Sequence, residues 1–186
     1  MRIEVHVHGV LNLCKGVTLT QVENGLRKWL DYLDVETIAE ASSMEQDEPG
    51  IVFHRSDRTL EICWTGEVGR NFVSRLQDAL YELGPLTERA SQIELTYYYE
   101  DGRDEYQLLF VGPTEESIHL AQRQRMIEDV ASLLSRHFSQ EDVVQVTDLV
   151  NVLFDHDLEK RKIAESEPDF QPSGGSLLHF RKKHLH

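Results

Sequence analysis

The stretch Ile93-Glu94-Leu95-Thr96-Tyr97-Tyr98-Tyr99-Glu100-Asp101-Gly102-Arg103-Asp104-Glu105-Tyr106-Gln107-Leu108-Leu109-Phe110-Val111 decides the fold class. Two runs rich in aromatic and branched residues flank Asp101-Gly102, a pair that reaches positive φ at little cost and joins antiparallel strands. With that pair as the turn, Ile93, Leu95, Tyr97 and Tyr99 share one face. Tyr106, Leu108 and Phe110 then match them on the partner strand. Upstream, Ile51 to Arg55 and Thr59 to Thr65 form a second hairpin pattern around Ser56-Asp57-Arg58. Between the hairpins, Val68, Phe72, Leu76, Leu80 and Leu83 recur at helical spacing until Gly84-Pro85 ends the run.

The N-terminal Ile3, Val5 and Val7 alternate with Glu4, His6 and His8, the pattern of a half-buried strand. A helix follows, with a capping-box form at Thr20-Gln21-Val22-Glu23 and a stripe of Val22, Leu26, Leu30 and Leu33 bordered by Trp29. Residues 42–50 read as a polar loop. After the second hairpin, a helix opens at Pro113-Thr114-Glu115-Glu116 and runs to about Phe138. Another, capped at Ser139-Gln140-Glu141-Asp142, runs to about Phe154. The order β-α-β-β-α-β-β-α-α predicts an α+β fold with a mainly antiparallel sheet. Its first six elements have the ferredoxin-like βαββαβ order, followed by an added strand and two C-terminal helices. Val35 to Ala41 offers a further strand, which would break that order. The predicted organisation is a single domain over residues 1–165, then a linker and a C-terminal tail over 166–186.

The chain has 186 residues, 40% hydrophobic and 28% charged, enough apolar content for a packed core. No apolar run approaches the roughly 20 residues of a membrane span, and charge enters at Arg2 and Glu4, so neither a membrane anchor nor a signal peptide is expected. Two cysteines, Cys14 and Cys63, are too few for a disulfide framework and fit a reducing cytoplasm. Residues 1–169 hold 16 Lys+Arg against all 33 Asp+Glu. Residues 170–186 hold Arg181, Lys182 and Lys183 and no acid, so an acidic body of −17 precedes a basic end of +3. Such a body repels phosphate backbones, which argues against direct nucleic-acid binding.

His6 and His8 are the candidate metal ligands, because i and i+2 on a strand project from one face. The segment Met1-Arg2-Ile3-Glu4-Val5-His6-Val7-His8-Gly9 resembles the first metal-binding strand of the amidohydrolase and the polymerase and histidinol-phosphatase families. Asp155-His156-Asp157 resembles another acid-histidine element of the latter. The resemblance implies a metal-dependent hydrolase or nuclease, and it is confined to these segments. Those families use a barrel of repeated βα units, which a chain of two hairpins does not supply. The pair is therefore expected on the solvent face, with no tight ion and no cofactor. Gly66-Glu67-Val68-Gly69-Arg70 lacks dinucleotide-loop spacing and reads as a strand-to-helix turn. Tyr97 and Tyr99 read as core, and Tyr98 lies among acids, a poor platform for RNA.

Beyond Gly174-Gly175, the tail joins Leu177, Leu178 and Phe180 to Arg181, Lys182 and Lys183. Apolar anchors beside bases predict a peptide-like element that docks on an acidic surface of its own chain, a second copy or another protein. The functional expectation is a non-enzymatic acidic protein acting through protein–protein contacts, one form of which is an inhibitor or decoy of a basic nucleic-acid-binding partner. The competing expectation is a small metal-dependent hydrolase or nuclease using His6 and His8.

Overall fold

The computed structural model describes residues 3–166 and 180–182. The central strand is β1 (Ile3–Asn12), and its alternation governs everything around it. Val5, Val7 and Leu11 are fully buried on one face, while Glu4, His6 and His8 stand on the other. On either side of β1, β3 (Thr59–Val68) and β4 (Ser91–Tyr98) pair antiparallel with it. Outside them lie β2 (Gly50–His54) and β5 (Asp104–Val111). The five strands run in the order β2-β3-β1-β4-β5, all antiparallel, and three residues of β6 (Phe180–Lys182) extend the sheet at the β5 edge. The molecule is thus α+β with an antiparallel sheet, and both sequence-read hairpins are present.

One face of the sheet carries the core. The helices α1 (Leu19–Gly25), α2 (Arg27–Leu33) and α3 (Phe72–Leu83) bury Val22, Leu26, Leu30, Leu76 and Leu80 in one cluster with Val5, Val7, Ile62, Ile93 and Leu95. Trp29 sits fully buried within it, edge-on to Trp64 at 5.7 Å and to Phe72 at 6.3 Å. Aromatic rings in these geometries add packing energy beyond their buried area. Sequence spacing placed Trp29 at the border of the stripe. The helix breaks at Leu26 into α1 and α2, and Trp29, seven residues after Val22, lies on the buried side with the stripe rather than at its border.

Three further expectations change, and one open alternative closes. The N-cap is Thr18, not Thr20: Thr18 Oγ1 accepts from the Gln21 amide at 3.3 Å, and the Gln21 side chain accepts from the Thr18 amide at 3.0 Å. Val35 to Ala41 forms no strand, only turns and bends. Tyr106, Leu108 and Phe110 lie on the face opposite the core, across from Thr96, Glu94 and Gln92, while Gln107 and Leu109 face inward with Leu95 and Ile93. The cause is the loop: five residues, Tyr99–Arg103, separate Tyr98 from its partner Asp104, with Gly102 at φ 75°. A two-residue turn at Asp101-Gly102 would shift the pairing by one residue, and one residue exchanges the two faces of a strand.

The last change concerns the C-terminal region. The helices α4 (Glu115–Leu134) and α5 (Gln140–Ser166) are both present, and α5 runs well past Phe154. The chain divides into two compact units, one holding residues up to Ile118 together with β6, the other beginning at His119 and holding most of α4 and all of α5. Within the second unit, Arg123 Nε donates to Asn151 Oδ1 and its Nη1 to Asp155 Oδ1, each at 2.7 Å, and His119 packs on Phe154, which ties the two helices into a hairpin. Of the tail residues, Phe180, Arg181 and Lys182 form β6, a strand that sequence reading did not anticipate. Leu177, Leu178 and Lys183 lie outside the described residues.

Candidate functional site on the open face of the sheet

Strand alternation sends His6 outward from β1, and Cys63 and Thr65 outward from the adjacent β3, where His6 is registered against Thr65 and His8 against Cys63. The polar loop between α2 and β2 then closes over this spot. It is held there by backbone and side-chain bonds: the Met44 amide donates to the Thr65 carbonyl at 2.8 Å, the Thr65 amide donates to Ser43 Oγ at 2.9 Å, and Trp64 Nε1 donates to the Ser42 carbonyl at 3.1 Å. The loop is thus tied to Trp64 and Thr65 near the end of β3, and it delivers Glu48 to the imidazole.

The resulting contacts are short and mutual. His6 Nδ1 lies 3.0 Å from Glu48 Oε1 and 2.9 Å from Thr65 Oγ1, and the Thr65 hydroxyl donates to Glu48 Oε1 at 3.0 Å. Ser43 Oγ donates to the other carboxylate oxygen of Glu48. His6 and Glu48 are 24% and 17% exposed, so the pair is shielded yet reachable from solvent. The Cys63 sulfur joins them: one ligand atom each from His6, Glu48 and Cys63 lies within 4.8 Å of the others. Burial pushes the Cys63 thiol above its ordinary value, and the carboxylates of Glu48 and Glu61 push in the same direction. An open hollow of about 530 Å³ flanks Glu48 and is lined in part by Glu23, Ser43 and Glu45, so its polar character is anionic.

The structure separates the two sequence-read histidines. His6 enters the cluster. His8 is exposed and stacks on the His6 ring, with centroids 6.0 Å apart and planes 15° apart, outside the His6-Glu48-Cys63 group. Asp155-His156-Asp157 lies on α5, where Asp155 is engaged by Arg123. Gly69 donates its amide to the Tyr32 hydroxyl at 2.7 Å, so that N–H of the Gly66–Arg70 turn is spent within the fold. Cys14 is elsewhere, its thiol donating to the Thr87 carbonyl at 3.3 Å. Glu48, Ser43 and Thr65 carried no sequence signal, since an acid in a polar loop looks like any solvated acid.

Fold and site together define an α+β protein with a helix-covered core on one face of the sheet and an imidazole–carboxylate–thiol cluster on the other. The chain belongs to the family of unknown function DUF6806, whose model matches residues 3–155 and so spans both hairpins, the cluster and most of the helical pair. No curated protein and no solved structure matches it. No helix among the described residues is long and apolar enough to cross a membrane.

Proposed function

We propose that this chain is a non-enzymatic binding protein that works through protein–protein contacts in a reducing compartment, the cytoplasm, where Cys14 and Cys63 stay free. The observation that carries the reading is the number of apolar side chains that α5 leaves exposed. Val144, Val146, Leu149, Val152 and Leu153 remain 40–61% exposed. Several large apolar side chains exposed along one helix point to a surface that a partner covers, because burying them would remove apolar area from water. Asp142, Asp148, Asp155 and Asp157 stand on the same helix, so the complement is an apolar surface fringed by bases. A basic nucleic-acid-binding protein has that charge, and the acidic body of the chain would steer it in.

For the sheet-bearing unit we propose ferredoxin-like topology. Strand order β2-β3-β1-β4 with helices inserted after β1 and after β3 supports it, with β5 as the added strand.

The function is tested by changing Leu149 and Leu153 together to Ser. Both side chains are exposed, so circular dichroism and the unfolding midpoint should be unchanged. A partner recovered with the wild-type chain from its own host, identified and then re-bound as a purified protein, should lose at least tenfold in affinity for the variant. Equal affinity for both forms, or a wild-type chain that binds nothing and sediments as a monomer, would overturn the reading.

A further inference from the structure

We propose that His6, Glu48 and Cys63 form a binding site for a borderline-soft divalent transition ion, with zinc as the natural fit. The inference concerns the open face of the sheet and is independent of the helical contact surface. His6 Nδ1, a Glu48 carboxylate oxygen and the Cys63 sulfur come from β1, the loop before β2, and β3, and all lie within 4.8 Å of one another. Zinc holds its ligands at about 2.0–2.3 Å in a tetrahedral array, which places ligand atoms roughly 3.3–3.8 Å apart. The His6–Glu48 pair, at 3.0 Å, is a hydrogen-bonded contact slightly tighter than that spacing, so an ion would part the two atoms by a few tenths of an ångström and draw in the sulfur, which lies within 4.8 Å of both.

The donor set selects the class of ion. Nitrogen, oxygen and sulfur together suit zinc or cobalt, whereas magnesium and calcium demand oxygen. The outer partners also suit a metal centre. Ser43 and Thr65 each donate a hydroxyl hydrogen to Glu48, fixing the carboxylate with one oxygen beside the imidazole, the arrangement by which surrounding groups orient ligands. An ordinary imidazole–carboxylate–hydroxyl trio accounts for these hydrogen bonds without an ion. A partly buried Cys63 is also at home there as a small apolar side chain, and it is the approach of its sulfur to the imidazole and carboxylate that makes the set a chelator. On binding, the Cys63 S–H bond breaks, the sulfur keeps the electron pair for the metal, and the proton leaves to solvent, one per ion. Three protein ligands leave a fourth position for water or a ligand group. The assignment keeps His6 from the sequence-read pair, replaces His8 with Glu48 and Cys63, and departs from the expectation that the chain holds no ion.

The test is cobalt titration of the full chain after treatment with chelator and reductant, read by absorption. One equivalent of Co²⁺ should bind with a thiolate-to-cobalt charge-transfer band and be displaced by zinc. Cys63→Ser should abolish the band, whereas Cys14→Ser and His8→Ala should keep it. Glu48→Gln, close in volume to the native residue, should weaken binding at least tenfold, and Thr65→Ala roughly 10–100-fold through the carboxylate it orients. Unfolding midpoints report whether each variant is folded; should Cys63→Ser fail to fold, Glu48→Gln decides. No stoichiometric uptake, uptake by histidines alone without the thiolate band, affinity unchanged in Glu48→Gln, or loss of the band in His8→Ala would each overturn the assignment.

Discussion

Tyr98 shows how a single residue on the open face takes its chemistry from its neighbours. It stands on β4 across from Glu4 on one side and Asp104 on the other. Burial raises its phenol pKa above the ordinary tyrosine value, and the charges of Asp104, Glu4 and Glu48 add to the shift. The folded state therefore holds the proton more tightly than the unfolded chain. The associated stabilisation is full below the ordinary tyrosine range and is lost as pH rises through the folded value. Asp104→Asn should lower the Tyr98 midpoint toward the ordinary value, measured as the difference in tyrosinate absorbance between chains with Tyr98 and with Tyr98→Phe. A midpoint at or below the ordinary value, or one indifferent to Asp104→Asn, would refute the account. That Tyr98 faces outward among acids is legible in strand alternation, as is the outward direction of His6. Glu48 is not legible, because its position depends on bonds from Ser43 and the Thr65 backbone that no local pattern encodes.

At the scale of elements, the sequence signals name the kind of element better than its boundaries or its facing. The α1 cap illustrates the point. Thr18-x-x-Gln21 and Thr20-x-x-Glu23 both have capping-box form, and local chemistry alone does not choose between them. The choice falls to Thr18, whose extended backbone, at φ −104° and ψ 159°, suits an N-cap residue at the start of α1. Removing the side-chain acceptor leaves the Gln21 amide without its partner, so Thr18→Ala should cost about 1 kcal/mol in urea unfolding, and Thr20→Ala far less. Equal losses at the two positions would contradict the assignment. The β5 strand failed differently. From Tyr106 to Val111 only Gln107 interrupts an otherwise apolar run, so alternation does not say which side is core, and the answer rests on loop length. The five-residue connection decided it, and Asp101-Gly102 by itself suggested a shorter one.

At the scale of the whole molecule, the question is what the basic end does for an acidic chain. Among the described residues, every member of the core cluster lies between Val5 and Val111, and none comes from β6. β6 contributes three backbone pairings to the β5 edge, Lys182 to Tyr106, Arg181 to Gln107 and Phe180 to Leu108. Ordering each residue costs roughly 1–2 kcal/mol of backbone entropy, and exposed ion pairs typically return only ~0–1 kcal/mol. A strand this short is held close to balance, and the attraction between a +3 end and a −17 body is the part that salt screens. Deleting residues 174–186 should therefore leave the unfolding midpoint of the sheet-bearing unit nearly unchanged, while amides at the β5 edge exchange faster with solvent. High salt applied to the full chain should reproduce part of that acceleration. The uncovered β5 edge also becomes free to pair with another strand, so the truncated chain should self-associate more than the intact one in sedimentation. If β5 exchange and sedimentation are the same with and without residues 174–186, β6 contributes nothing to closing the sheet edge in solution. If instead the intact chain is the one that self-associates, the end reaches across to a second copy and the edge pairing is intermolecular.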